Sequence, residues 1–282
     1  MKVKGKNILI TGASSGIGKA FALKCANDIC HIYLASRNRE KLEEVKRLVE
    51  DLGSTADVIP TDVTNAEDVK ELFLKVTQGG KVLDVVFNNA GLGHIANIYE
   101  QKVEDIESMV DVNVKGILYV AKYASEVMVK QKYGHLVLTS SLAGLITVPG
   151  WATYVATKWA VTGFTDSIRM ELKKYNVKVS SLHPGLVKTE FFDKQKADMS
   201  EEELDKQNAV TPEEVADAVY EALFTNRHKI LVPSIVKSYA FLSRYLPSLT
   251  EKLIEINSKE LEREITEEDE PEFSYIQEVG KV

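Results

Sequence analysis

A tyrosine and a lysine four residues apart, Tyr154 and Lys158, stand in Ala152-Thr153-Tyr154-Val155-Ala156-Thr157-Lys158-Trp159-Ala160, a run without Pro or Gly that reads as the start of a helix. At that spacing the two side chains share a helix face. A phenol titrates at about 10 and is a weak acid or base at neutral pH. An ammonium about 4 Å away, at an effective dielectric of about 20, would favour the phenolate by roughly 4 kcal/mol before the lysine's own desolvation is subtracted. Upstream, the apolar run His135-Leu136-Val137-Leu138 has strand character and leads to two hydroxyls, Ser140 and Ser141. A hydroxyl there could hold a substrate oxygen that Tyr154 protonates or deprotonates. Alone, the Tyr/Lys pair equals an ordinary helix-surface contact worth roughly a few tenths of a kcal/mol, so the rest of the chain has to decide.

A second chemical signal lies near the start. Asn7-Ile8-Leu9-Ile10-Thr11 is a short apolar strand that runs into Gly12-Ala13-Ser14-Ser15-Gly16-Ile17-Gly18, followed by a helical pattern. Strand, glycine turn and helix in that order are the context a dinucleotide fingerprint requires. Gly12 permits the tight turn, and Gly16 lets backbone N–H groups approach a pyrophosphate at the helix N-terminus. Gly18 allows the helix to pack closely on the strand.

These residues need a scaffold, and the alternation of patterns supplies one. Strands are expected at 31–36, 56–60, 82–87, 136–138, 178–182 and 230–232, and helices at 39–52, 66–76, 114–130 and from the Tyr154 run to near Tyr175. Repeated βαβ units imply an α/β fold: a doubly wound, mostly parallel sheet of about seven strands with helices on both faces. No Pro/Gly/Ser linker divides residues 1–246, which read as one domain; 247–282 reads as an acidic, helical or mobile C-terminal extension. The ligand crevice belongs at the carboxyl ends of the strands.

The sequences at those strand ends are distinctive. The second strand ends in Ala35-Ser36-Arg37-Asn38, where an acid would meet unmodified ribose hydroxyls. Arg37 points instead to a 2′-phosphate, and so to NADP rather than NAD. The third strand runs into Thr61-Asp62-Val63, the fourth into Asn88-Asn89-Ala90-Gly91, and the sixth into His183-Pro184-Gly185-Leu186-Val187-Lys188-Thr189. Asn113 sits within a helix, where an amide that bonds nearby backbone is mildly unfavourable.

Together these stretches, from about Lys6 to Thr189, resemble the short-chain dehydrogenase/reductase family, in its compact single-domain branch with a T-G-x-x-x-G-x-G turn and Y-x-x-x-K. The resemblance implies a Rossmann-type catalytic domain. It implies that Tyr154 is the acid/base, that Lys158 lowers its pKa and holds the nicotinamide ribose, and that Asn113 holds a water in a proton relay. Ser141, thirteen positions before the tyrosine, would orient the substrate oxygen in preference to Ser140. It further implies cofactor contacts from Gly12, Ser14, Ser15, Gly16, Ile17 and Gly18, from Asp62 and Val63 at the adenine, and from Asn89, Ala90 and Gly91. Pro184, Gly185, Val187 and Thr189 would surround the nicotinamide amide. Related enzymes pair through the helices carrying Asn113 and Tyr154, so a homodimer or homotetramer is expected.

The remaining features set boundaries. The 282 residues carry a net charge of −7, and the segment from Ser248 onward holds all of it, leaving a neutral body without the basic stripe that nucleic acid requires. Cys25 and Cys30 lack metal or redox spacing, so no metal site is expected. No long apolar run suggests a signal peptide or a membrane span, and a cytoplasmic protein is expected. Leu142, Val148, Trp151, Phe191, Phe192 and His94 are candidates to line an apolar pocket, with the charged segment to Gln207 placed as a lid. Thr211-Pro212-Glu213-Glu214 looks like a helix start. The aromatic-rich run 234–246, with Lys237 and Arg244, suits packing over the pocket or on a partner subunit better than a membrane surface. The function expected is interconversion of a carbonyl and a secondary alcohol on a small lipophilic substrate. A 3-oxoacyl-thioester reductase uses the same residues, and a nucleotide-sensing regulator would need only the cofactor site.

Overall fold

The computed structural model of the chain describes residues 2–189, 191, 209–234, 236–246, 248 and 252. Seven parallel strands form one sheet: β1 (Asn7–Thr11), β2 (His31–Ser36), β3 (Thr55–Pro60), β4 (Val85–Asn88), β5 (Gly134–Thr139), β6 (Val177–Pro184) and β7 (Lys229–Val232), in the order β3-β2-β1-β4-β5-β6-β7. The helices are α1 (Gly16–Ala26), α2 (Arg39–Asp51), α3 (Ala66–Val76), α4 (Val103–Val110), α5 (Ile117–Gln131), α6 (Ala152–Lys173), α7 (Pro212–Ala222) and α8 (Val236–Tyr245).

Apolar strands with no polar alternation bury both faces, and the side chains sort by the two-residue period of the pleat. Ile8 and Ile10 of β1, Ile32 and Leu34 of β2 and Val85 and Phe87 of β4 pack into one layer with Phe21 of α1, Val45 of α2 and Val215 of α7. Leu9, Tyr33 and Val86, one residue out of step, pack into the opposite layer with Leu72 of α3, Val120 of α5 and Val161 of α6. Phe21 meets Phe87 edge to face at 4.8 Å.

Helix starts follow their capping residues. Asn38 accepts from the Lys41 backbone N–H and Asn65 from those of Glu67 and Asp68, while Thr211 and Glu214 close a capping box ahead of α7. Beyond shifts of one or two residues at element ends, two differences separate the sequence reading from the structure. The fourth strand spans Val85–Asn88 rather than 82–87, because Leu83 N–H pairs with the Gln131 side chain instead of a neighbouring strand. The helix expected from 114 begins at Val103 and runs through a π-helical stretch, Asp111–Gly116, into α5. The insertion breaks the 3.6-residue period, so α4 was not legible as part of the same helix.

The winding direction reverses between β1 and β4, whose neighbours lead to opposite edges of the sheet. The helices that follow those two strands lie on opposite faces of the sheet, α1 on one and α5 on the other, which leaves a crevice at the strands' carboxyl ends where such sheets bind ligands. Among the described residues no helix is long and apolar enough to cross a membrane, and no cluster of metal-ligating side chains occurs. Phe192, the remainder of the expected lid, and most of the acidic extension lie outside the described residues.

Candidate active site

At that reversal a cavity of about 550 Å³ opens along the strand ends. One half is walled by backbone. Gly12 takes φ +65° and Gly16 φ +51°, both left-handed values that favour glycine, and a Cβ on Gly12 would come within 3.0 Å of the Ala90 Cα. Gly18 is turned away from the cavity; its Cβ would lie 2.2 Å from the Gly12 carbonyl oxygen, so its role is packing of α1 on the turn. Thr11 ties the neighbouring strand end to this turn, its hydroxyl accepting from the backbone N–H groups of Asn89 (2.9 Å) and Ala90 (3.2 Å). The Asn89 side chain donates to the Thr11 carbonyl at 3.3 Å and accepts from the Thr139 hydroxyl at 3.3 Å, clamping β1, β4 and β5 together.

The catalytic candidates come from β5 and α6. Tyr154 is buried, lines the cavity and shares a hydrogen bond with the Ser141 side chain. Ser141 also accepts from the Ala143 backbone N–H at 3.1 Å. The adjacent Ser140 instead donates to the Lys158 carbonyl at 2.9 Å and meets Thr162, so its hydroxyl is spent on holding α6 to β5. The two serines face differently because alternate residues of an extended chain point to opposite sides. Lys158 is only 2 % exposed, and its Nζ donates to the Thr139 carbonyl at 3.2 Å while lying 5.5 Å from the centre of the Tyr154 ring.

The expected acidification of the phenol is not produced by the protein's own packing. Burial pushes the Tyr154 phenol above its ordinary value, and only the Ser141 hydrogen bond opposes that. Burial likewise pushes the Lys158 ammonium down to about 8. Both groups lose water together, and desolvation disfavours charge on each. The lysine's hydrogen bond goes to the Thr139 carbonyl.

Asn113 lies in the π-helical stretch and does not line the cavity. Its amide oxygen accepts from the Leu92 N–H at 2.8 Å, and its nitrogen donates to the Leu92 carbonyl at 2.7 Å and to Thr157 at 3.2 Å. It therefore pins the loop after β4 against α6. Gly91 sits beside it, where a Cβ would lie 3.2 Å from the Asn113 oxygen and 3.5 Å from Lys158 Nζ.

The other residues singled out from the sequence, Ser14, Ser15, Ile17, Arg37, Asp62, Val63, Pro184, Gly185, Val187 and Thr189, all line the same cavity. So does Leu186, within the Pro184–Thr189 stretch, and so do Ser36, Leu92, Ala143 and Ile146, which sequence reasoning did not single out. Ser36 stands at the end of β2 next to Arg37, a position that strand-end reasoning could have flagged. Leu92 and Ile146 come from irregular loops and carry no periodic signal. The second half of the cavity is apolar, with Leu142, Val148, Trp151 and Phe191 in its wall. Trp151 and Phe191 meet the Tyr154 ring edge-on at 5.6 and 6.1 Å. His94 does not join them: its N–H bonds Met109 sulfur and its ring faces Asp105 at 3.7 Å, because the loop folds back on α4.

The residues present fit a nicotinamide dinucleotide. The glycine turn leaves backbone room at the start of α1, and the buried Ser36 hydroxyl beside Arg37 has no partner within the protein.

Comparison with known proteins agrees. The short chain dehydrogenase family model matches residues 6–200. An uncharacterised oxidoreductase of Listeria monocytogenes is 38% identical over 229 residues, covering 79% of this chain and 92% of its own, and one from Staphylococcus aureus is 38% identical over 224 residues, covering 79% and 93%. Among solved structures, ElxO with NADP bound is 31% identical with a TM-score of 0.75, covering 83% of this chain and 99% of its own. A short-chain dehydrogenase/reductase from Burkholderia phymatum in complex with NAD is 26% identical with a TM-score of 0.78, covering 97% and 100%. With seven parallel strands, the glycine turn and a buried tyrosine and lysine on one helix, this chain belongs to the short-chain dehydrogenase/reductase family and is an oxidoreductase.

Proposed function

We propose that the protein is an NADP(H)-dependent reductase or dehydrogenase that interconverts a carbonyl and a secondary alcohol on a lipophilic substrate. The observation that carries this reading is the Ser141–Tyr154 hydroxyl pair, seated in one cavity between a backbone-walled half and an apolar half. The bound dinucleotide would supply or accept a hydride at the substrate carbon. Tyr154 gives a proton to the substrate oxygen or takes one from it, and Ser141 holds that oxygen in place. Lys158 offers three donors, of which the Thr139 carbonyl takes one, and the other two would hold ribose hydroxyls. Bound ribose and a buried ammonium beside it would favour the phenolate that packing alone disfavours. Asn113 keeps the loop at Leu92 in position, and any relay water it holds would sit at this junction.

The choice of NADP rests on Arg37 and the unpartnered Ser36 hydroxyl at the cavity edge, a cation and a donor suited to a 2′-phosphate. The lipophilic substrate rests on the apolar wall of Leu142, Val148, Trp151 and Phe191. Exposed Val110, Trp159 and Met170 on α4 and α6 support a homodimer or homotetramer. The test is cofactor consumption over a panel including acetophenone, cyclohexanone, menthone and an acetoacetyl thioester, with NADPH and NADH. Turnover of the ketones with NADPH preferred is expected. Activity confined to the thioester, or equal use of NADH, overturns the corresponding part.

A further inference from the structure

We infer that His183 is a positioning residue for the Ser141–Tyr154 pair: its ring holds the Ser141 backbone from behind the cavity wall and fixes where that hydroxyl stands. The inference rests on the functional reading above, in which Ser141 holds the substrate oxygen. His183 lies in β6, is wholly buried and does not line the cavity. Its Nδ1 lies 3.0 Å from the Ser141 carbonyl oxygen and its Nε2 lies 2.8 Å from the Ser181 hydroxyl oxygen.

The chemistry of those partners selects one form of the ring. A carbonyl can only accept, so Nδ1 carries the proton and donates; in the neutral ring Nε2 then accepts, and the Ser181 hydroxyl, which lies 2.8 Å from Nε2 and 3.3 Å from the His228 carbonyl, gives its one proton to the nearer acceptor. The doubly protonated ring is disfavoured, since burial brings its pKa down to about 4, with Lys229 and Lys158 adding to the fall and the Ser141 bond and Asp166 opposing it.

The position of this contact gives it its role. The β5–β6 register ends at Thr139 opposite Leu182, and the last backbone bond runs from Ser140 N–H to the Leu182 carbonyl at 2.8 Å. Ser141 is the first residue past that ladder, in extended backbone at φ −165°, and the chain turns at Leu142–Gly144 immediately after it. Its carbonyl accepts from Gly144 N–H at 3.0 Å, within the same turn. The His183 bond is thus the long-range tether that carries the sheet's alignment one residue further, to the residue whose hydroxyl meets Tyr154.

Three variants test this: His183→Leu, His183→Asn, whose amide can still donate to the carbonyl, and Ser181→Ala. Nitrogen-15 NMR of the wild-type imidazole is expected to show Nδ1 protonated and Nε2 bare from about pH 6 to 9. With the best ketone of the panel, His183→Leu is expected to lower kcat by roughly ten- to a hundredfold, with NADPH affinity within about threefold of wild type. His183→Asn should return kcat to within about threefold, and Ser181→Ala should give an intermediate loss, since Nδ1 keeps its proton but the ring loses its anchor. An Nε2-protonated ring overturns the inference. So does unchanged kcat in His183→Leu, or Leu and Asn variants that fall equally in kcat, cofactor affinity and melting temperature, the mark of a merely structural histidine. Absence of wild-type turnover on the whole panel would strike the functional reading instead, and the NMR result would still decide the tautomer.

Discussion

The two halves of the cavity are built from different materials. The half proposed to hold the cofactor is made of strand ends and a glycine turn, with backbone N–H groups and short polar side chains locked to one another through Thr11 and Asn89. The half proposed to take the substrate is made of loops, and its wall is Trp151, Phe191 and aliphatic side chains whose positions depend on packing. Backbone geometry tolerates little change, because a single added methyl meets a carbonyl or Cα atom. Side-chain walls can be remodelled one residue at a time. Between them, Tyr154, Ser141 and Lys158 sit on β5 and α6, elements tied together by Ser140 and Thr162.

Substitutions should therefore separate by half. Tyr154→Phe, at the junction, is expected to lower kcat by roughly a hundred- to ten-thousandfold while leaving cofactor affinity nearly unchanged; stopped-flow binding and steady-state kinetics check it. If a substantial fraction of turnover survives, the junction is misplaced.

Acid should weaken the sheet at β5 and β6, the strands that carry His135 and His183. His135 and His183 are both held neutral by burial, with pKa values of about 4 against 6.5 for the free side chain. The unfolded chain binds more protons between those values, so stability is complete above about pH 6.5 and falls as pH drops toward 4. Each histidine is expected to contribute a loss on the order of 2 kcal/mol by about pH 5. Urea midpoints at two pH values, with His135→Gln as the variant that removes one share, measure it; an unchanged slope in that variant would refute the assignment.

In the cofactor half, Gly18→Ala places a methyl against the Gly12 carbonyl oxygen and is expected to cost about 1–3 kcal/mol of stability and to weaken NADPH binding. Arg37→Ala should raise KM for NADPH roughly tenfold or more and leave NADH unaffected, the loss of a charge-assisted contact to phosphate. Equal effects on both cofactors would show that Arg37 does not read the phosphate. Trp151→Ala should have the smallest effect, raising KM for lipophilic ketones about tenfold with cofactor binding intact. A loss of cofactor affinity in this variant would mean that the halves are not independent.

The glycine turn, the strand ends and the Tyr154/Lys158 spacing were legible in the chain because each is local: backbone freedom at Gly12, strand character before it and a helix period after it are properties of neighbouring residues. They established an α/β sheet, the strand ends that border the cavity and nearly all the residues lining its backbone-walled half. Tertiary structure alone decided the rest. It gave the Ser140 hydroxyl to α6 and the Ser141 hydroxyl to Tyr154 although both residues line the cavity, gave Asn113 a clamping role through a π-helical insertion, and turned His94 away to Asp105. It also set the charge balance of Tyr154 and Lys158, since desolvation depends on every element packed around a group, and spacing along one helix cannot report what the other elements exclude.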